Sequence, residues 1–397
     1  MDLSQPTGKD ELLAVCSSYN TFQKGIIDGV APFFNRIHVL VRTNPFAEIS
    51  NYFPLPSLER YTVSKKIDLT NKPDNIHITK IPTWYLPWDR GYRTLGDKQF
   101  ILADNYIQKY SGKFCLVHSQ FVWSAGYVGA KIKTKYNIPF IVTAHGGDIY
   151  IKPFKNEFWR HITENILNSA DHIITVSHSN FACIQKLDIS TPVTIIPNGF
   201  NSELFYPRNP MKCKKLLNLP QDKVIILTVG NLETIKGHLY LIDAIQKITH
   251  VRKDALCVIV GSGKLHKKLK HKIHSLELDE QIILAGGKPH DEIPLWMNAC
   301  DLFVLPSLNE GNPTVMFEAL GCGKPFIGTS VGGVPEVITS DKYGLLVEPA
   351  NPDDLAEKLL VALDREWDRE EILGYAEQFT WENIAKEILG VYEQVLG

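Results

Sequence analysis

No apolar run in this 397-residue chain approaches the ~20 residues that a membrane-spanning helix needs. The opening residues, Met1-Asp2-Leu3-Ser4-Gln5-Pro6, lack the basic start and apolar stretch of a signal peptide, and a cytoplasmic location is expected. The seven cysteines (Cys16, Cys115, Cys183, Cys213, Cys257, Cys300, Cys322) are odd in number and scattered, mostly inside apolar runs. They are expected to be reduced, buried thiols, and their spacing matches no metal site. No G-x-G-x-x-G is present, which argues against dinucleotide binding. A D-x-D metal motif is also absent, so neither a metal nor a cofactor is expected. Without a long basic run or a recognisable module, nucleic acid is not an expected partner.

What remains is an ordinary globular composition, 44% apolar and 22% charged with a net charge of −2, in a chain long enough for two domains. The charge is unevenly shared. Residues 1–200 carry an excess of Lys and Arg, and the remainder an excess of Asp and Glu. A basic first half admits peripheral contact with an anionic lipid surface. The cluster Pro82-Thr83-Trp84-Tyr85-Leu86-Pro87-Trp88 adds apolar groups that could touch a lipid or sugar acceptor.

Short apolar runs alternate with helical periodicity along most of the chain. Leu12–Cys16, Ile37–Val41, Phe114–His118, Pro139–Thr143, Asp171–Val176 and Val193–Ile196 read as strands of a first half. The first strand is followed by a polar loop, Ser17 to Lys24, and then Gly25. Residues 44 to 98 resist assignment. Val224–Val229, Ala255–Val260, Gln281–Ala285, Asp301–Leu305, Phe326–Gly328 and Gly344–Val347 are the strands of a second half. The fold expected is α/β, with two Rossmann-like β/α/β domains facing each other across a cleft. The proline-rich stretch Phe205–Pro210 marks the change. Domains are therefore expected at 1–205 and 206–380, with a final helix, 381–397, packing back toward the first.

One stretch concentrates the chemistry. Between the strands Asp301–Leu305 and Lys324–Thr329 lies Ser307-Leu308-Asn309-Glu310-Gly311-Asn312-Pro313-Thr314-Val315-Met316-Phe317-Glu318. Pro313 suits the first helical position. Gly311, Asn312 and Thr314 would offer backbone N–H groups at the positive helix end, an anion site. Glu310 and Glu318 place two carboxylates beside it. Lys236 lies beside Gly237 before another helix, where its ammonium can reach the same anion. Gly230 ends one strand and is a candidate donor contact, and Gly261-Ser262-Gly263 after the next strand would let another molecule approach the backbone. The loop Thr329-Ser330-Val331-Gly332-Gly333-Val334-Pro335-Glu336 would add further amides. In the first half, the strand ending at Thr143 delivers Ala144-His145-Gly146-Gly147-Asp148, whose glycines leave the His145 ring room to face a cleft.

These motifs, in this order, resemble the retaining, nucleotide-sugar-dependent glycosyltransferases of GT-B architecture, family four. The match rests on Glu310 and Glu318, with seven residues between them in S-x-x-E-G-N-P-T-V-M-F-E-A-L-G-C-G-K-P. V-G-N-L-E-T-I-K-G, T-S-V-G-G-V-P-E, I-P-N-G-F-N and T-A-H-G-G-D accompany it. The resemblance covers the chain from about residue 110 onward. It implies Glu318 on the donor ribose, Glu310 beside the transferred sugar and Lys236 on the diphosphate, with His145 closing over the sugar. Gly25 is implied in a glycine loop near the diphosphate. Asn231 stands where the family often has arginine, which removes one positive charge from the diphosphate site. The activity implied is transfer of a sugar from a UDP- or GDP-sugar to a hydroxyl of a glycan, polysaccharide or lipid-linked acceptor. A sugar-nucleotide epimerase of the same fold, or a non-catalytic sugar-nucleotide-binding subunit, stays open at this point.

Overall fold

Strands that are apolar along their whole length belong in parallel sheets buried on both faces, because alternation is needed only when one face is wet. In the computed structural model, which describes residues 11–52, 58, 61–85, 89–110 and 114–397, such runs build two separate parallel sheets. The first contains β1 (Glu11–Cys16), β2 (Arg36–Thr43), β3 (Ile76–Pro82), β4 (Phe114–Gln120), β5 (Phe140–Ala144), β6 (His172–Thr175) and β7 (Val193–Ile195). Their order is β3-β2-β1-β4-β5-β6-β7. The second contains β8 (Val224–Val229), β9 (Ala255–Val260), β10 (Ile282–Gly286), β11 (Leu302–Leu305), β12 (Phe326–Thr329) and β13 (Gly344–Val347). Their order is β10-β9-β8-β11-β12-β13. In each sheet the chain works outward from a central strand, returns, and continues on the other side. That reversal creates a switch point, between β1 and β4 in one sheet and between β8 and β11 in the other. Ligands of such sheets sit beyond the carboxyl ends there.

Strand β3 falls in the region that the sequence left unassigned. It pairs with β2 from Ile37–Ile76 to Thr43–Pro82. As the outermost strand it keeps polar residues (His77, Thr79, Lys80), which hid it among the surrounding loops. In the Pro82–Trp88 cluster Trp84 is 63% exposed, while residues 86–88 lie outside the described residues.

The chain divides into two compact units, Met1–Pro197 with Trp381–Gly397, and Asn198–Thr380. The first boundary precedes the proline-rich stretch because Phe200 and Phe205 are buried in the core of the second unit. Phe200 lies so close to Gly321 that a Cβ there would meet its ring at 2.3 Å. Phe200 also takes part in a backbone pairing, its N–H donating to Phe379 O at 3.0 Å. The last helix returns to the first unit, where Ile384, Ala385, Ile388, Leu389 and Tyr392 share a core with Leu12, Ala14, Val39 and Val41.

Gly25 is corrected by this packing. The segment after β1 is not a loop through Lys24 but the helix α1 (Thr21–Val30), and Gly25 lies inside it. An added Cβ would stand 2.2 Å from the Trp381 ring. Gly25 therefore admits the C-terminal helix against α1, and the glycine loop near a diphosphate is absent at this position. No helix among the described residues is long and apolar enough to cross a membrane.

Gly25→Ala is expected to lower stability by about 1–3 kcal/mol through overpacking against Trp381. Gly374→Ala, in a helix position with nothing within 4 Å, should raise it by about 0.4–1 kcal/mol. Urea midpoints of the two variants would show shifts of opposite sign.

Candidate active site

The switch point of the second sheet gathers the two loops that carry its charged residues. One follows β8 and runs through Asn231 and Lys236 to helix α2 (His238–Ile248). The other follows β11 and runs through Ser307 and Glu310 to helix α3 (Thr314–Gly321). They are tied by a backbone bond, Leu308 N–H to Ile235 O at 2.7 Å. Gly237 makes the approach possible: it sits at φ 67°, and a Cβ would fall 1.8 Å from Pro306 O.

This seam brings Lys236 to Glu310. Lys236 Nζ donates to Glu310 Oε1 at 2.5 Å, and Ser307 Oγ donates to the same oxygen at 2.6 Å. Glu310 is buried, 8% exposed, and the residue that binds its carboxylate from the strand end, Ser307, is fully buried. Behind them, Gly332 (φ 54°) packs on the Glu310 carbonyl, where a Cβ would lie 1.8 Å away, and Gly333 N–H donates to Gly311 O at 2.8 Å. The Gly332-Gly333 loop was expected to add its amides to the same crest. The Gly333 amide instead braces the Glu310 loop.

One detail of the helix start also differs from expectation. Pro313 is the cap rather than the first helical residue, because its ψ of 116° is extended. Asn312 does not present its side chain to a ligand: Oδ1 accepts from Asn198 N–H at 2.7 Å, and Asn198 Nδ2 donates to Asn312 O at 2.7 Å. The I-P-N-G-F-N motif thus clamps the Glu310 loop. Among the described residues no acceptor takes the N–H of Gly311, Asn312 or Thr314. These amides remain at the positive end of α3, beside the Lys236 ammonium.

Glu318 lies in the second turn of α3, 7% exposed. Its Oε1 is 2.9 Å from His290 Nε2, and the His290 ring packs 5.3 Å from Phe205. The sequence reading missed His290. Its signal was position: it follows β10 through Gly286-Gly287-Lys288-Pro289, another carboxyl-end loop of the same sheet. Ser307 was missed for the same reason, as an unremarkable serine after a strand.

The strand-end glycines divide in two. Gly261 and Gly263 accommodate the chain itself, since a Cβ would stand 1.9 Å from Gly230 O at the first and 2.6 Å from Leu232 O at the second. The expected approach of another molecule is corrected there, because the β8 loop already fills that space. Gly230 is different: a Cβ would meet nothing closer than the Lys236 stem at 3.9 Å. Asn231 is exposed at the tip of its loop.

In the first unit, His145 follows β5 but its ring is buried, 7% exposed, against Phe22 and Phe121, each at 4.8 Å. The ring expected to find room before two glycines packs instead against these aromatics. Asp148 holds the turn, accepting from Gly146 N–H at 2.8 Å and Val122 N–H at 2.9 Å. His145 Nε2 meets Gln120 Oε1 at 2.7 Å, so the ring carries its proton there, and Nδ1 is buried with no partner. Gln120 Nε2 reaches His118 Nε2 at 3.3 Å. His118 in turn bonds Thr143 Oγ1 at 2.7 Å and, on the C-terminal helix, Tyr392 OH at 2.6 Å. Burial pushes both imidazoles down to about 3, His145 with help from His118. The site in this unit is therefore polar and uncharged at His145. Groups of three or more His, Cys, Asp or Glu able to hold a metal are not found among the described residues.

Residues 36–204 match the model of Glycosyltransferase Family 4, and residues 212–379 that of Glycosyl transferases group 1. An uncharacterized glycosyltransferase of Methanocaldococcus jannaschii is 33% identical over 290 residues, covering 70% of this chain and 75% of that one. The chain belongs to the GT-B glycosyltransferases of family 4. A putative teichuronic acid biosynthesis glycosyltransferase of Bacillus subtilis is 31% identical over 246 residues, 62% of this chain and 60% of its own. Among solved structures, Anabaena HepE in complex with UDP-glucose aligns with a TM-score of 0.73 at 20% identity, covering 97% of this chain and 99% of that one. At that identity the likeness establishes the fold of this glycosyltransferase.

The low histidine pKa values have a consequence for stability. The unfolded chain protonates His118 and His145 near their ordinary value of about 6.5, while the native state does so only near 3. Native stability is therefore expected to fall as pH drops from about 6.5 toward 3, by about 1.4 kcal/mol per pH unit for each histidine. Urea midpoints from pH 7 to 4 measure the slope, and replacing His118 by Gln should reduce it. In NMR titrations both rings should stay neutral from pH 5 to 8, and a midpoint near 6.5 for either would contradict the assignment.

Proposed function

We propose that this glycosyltransferase moves a sugar from a UDP-sugar to a hydroxyl of a glycan, polysaccharide or lipid-linked acceptor, with retention of anomeric configuration. The observation that carries the reading is the Lys236–Glu310 pair, set beside the amide end of α3 at the switch point of the second sheet. A sugar nucleotide already contains its activation in the diphosphate linkage. The protein's task is to hold the reactants and stabilise charge as the diphosphate leaves. Lys236 and the α3 amides are suited to that charge, and Lys236 also carries the binding that Asn231 leaves without an arginine. Glu310 is held by Lys236 and Ser307 on one oxygen, a fixed carboxylate to set beside the anomeric carbon and steady positive charge there.

Glu318, aligned by His290, is proposed to accept the ribose hydroxyls of the nucleoside. For His145 we propose contact with a sugar hydroxyl through its unpartnered Nδ1, as a neutral acceptor rather than a cation for phosphate. The acceptor hydroxyl would attack from the face that the diphosphate leaves, and a diphosphate oxygen would take its proton. The UDP-glucose complex of HepE supports uridine over guanosine in the donor. The likeness to a putative teichuronic acid biosynthesis glycosyltransferase of Bacillus supports a polymer as acceptor.

Three measurements test this. A thermal-shift screen should find UDP-sugars stabilising the protein more than GDP-sugars, by mass action on the native state. Lys236→Ala and Glu310→Ala should each reduce kcat by about 10²–10³, the usual loss for one group that stabilises transition-state charge, with turnover persisting in EDTA. NMR of the product's anomeric proton should show the donor's configuration; an inverted product, or donor isomerised without any acceptor, would overturn the reading.

A further inference from the structure

Beyond the carboxyl ends of β1 and β2, the first unit buries two cations that none of these roles uses. Arg42, the penultimate residue of strand β2, is 8% exposed. Its Nη1 donates to Ser124 Oγ at 2.8 Å and its guanidinium lies 5.4 Å from the Tyr85 ring centre, while Nε is buried without a partner. Lys66, 6% exposed, donates from Nζ to the carbonyl of Arg42 itself at 2.6 Å. Among the described residues no carboxylate pairs with Arg42, Lys65 or Lys66. Buried cations are normally matched by an anion, because desolvation without one is costly. Lys66 registers that cost: burial, and then the charge of Arg42, hold its ammonium down to about 7.

Both side chains line a cavity of about 300 Å³, together with Ser17, Ser18, Asn20 and Lys65. Its walls are fastened by backbone. Tyr19 N–H donates to Lys66 O at 2.7 Å, and Asp68 N–H to Tyr19 O at 2.8 Å. Asn20 Nδ2 donates to Lys65 O at 2.7 Å. Ser18 Oγ already accepts from Gln23 Nε2 at 2.6 Å, which leaves its hydrogen to donate elsewhere. A purely structural role for Arg42 accounts for the bond to Ser124. It does not account for a second buried cation on the same cavity or for the unpartnered Nε.

We propose that this cavity binds an oxyanion carried by the acceptor, a phosphate or a carboxylate, with Arg42 and Lys66 as its charge partners and Ser18 as a donor. Calling the carrier an acceptor rests on the glycosyltransferase reading; the anion site does not. The cavity's size suits a single oxyanion with part of the sugar that bears it. The acceptor would then be a charged glycan or sugar phosphate, held beyond the switch strand β1.

The test is calorimetric titration of the full chain, saturated with UDP, with inorganic phosphate, acetate and neutral glucose. Phosphate or acetate should bind and glucose should not. Arg42→Gln and Lys66→Met should each weaken anion binding by about tenfold or more, the effect of removing a charge-assisted hydrogen bond, with UDP affinity unchanged. Tighter phosphate assigns a phosphorylated acceptor, and tighter acetate a uronic-type one. If Arg42→Gln does not fold, Lys66→Met and the exposed Lys65→Gln carry the comparison. Anion binding that is absent, that UDP abolishes, or that all variants retain would overturn the proposal. Failure of UDP to bind, with anion binding still lost in the variants, would instead remove the donor reading and leave the site.

Discussion

A parallel sheet covered on both faces leaves its ends as the places where a buried architecture can expose chemistry. Every strand then delivers its carboxyl end to the same crest, and the reversal in strand order opens a gap there. In the second unit that gap is closed from two sides by loops joined through Leu308 and Ile235. The close approach depends on Gly237 against Pro306 and Gly332 against Glu310. Lys236 and Glu310 meet because these backbones meet. The ion pair is a consequence of the seam rather than its cause.

The two carboxylates of α3 and its leading loop have different surroundings, and their proposed tasks differ accordingly. Glu310 has an ammonium and a hydroxyl on one oxygen. Glu318 has an imidazole. The first unit is built on another principle at His145, where burial keeps the histidines neutral and a chain of hydrogen bonds runs back to Tyr392. Because Tyr392 belongs to the C-terminal helix, the last residues of the chain help to orient a side chain placed by β5. The same unit also tolerates Arg42 and Lys66 in a buried setting without a carboxylate among the described residues.

Much of this was legible from periodicity. Continuous apolar runs identified twelve of the strands named here, because strands buried on both faces need no polar alternation. Strand β3 was lost because an edge strand keeps polar residues. Glu310, Glu318 and Lys236 stood out because their residue types sit at strand-to-helix turns, where charge is informative. His290 and Gln120 did not, since their meaning comes only from the partner each one touches. Glycines misled most: Gly25, Gly261 and Gly263 looked like openings for a ligand, and each is occupied by the chain's own Trp381, Gly230 or Leu232.

The amino-acid sequence alone determined the fold class, the family and the pair of acids beside a helix end, because those depend on local pattern and short spacing. Tertiary structure decided which polar groups remain for a ligand. The Asn312 side chain was claimed by Asn198, the Gly333 amide by Gly311, and His145 Nε2 by Gln120, which leaves Nδ1 as that ring's unpartnered atom. It also assembled Arg42 and Lys66, from a strand and a separate short helix, around one cavity. Hydrogen bonds and burial are set by neighbours far apart in the chain, and no local spacing encodes them.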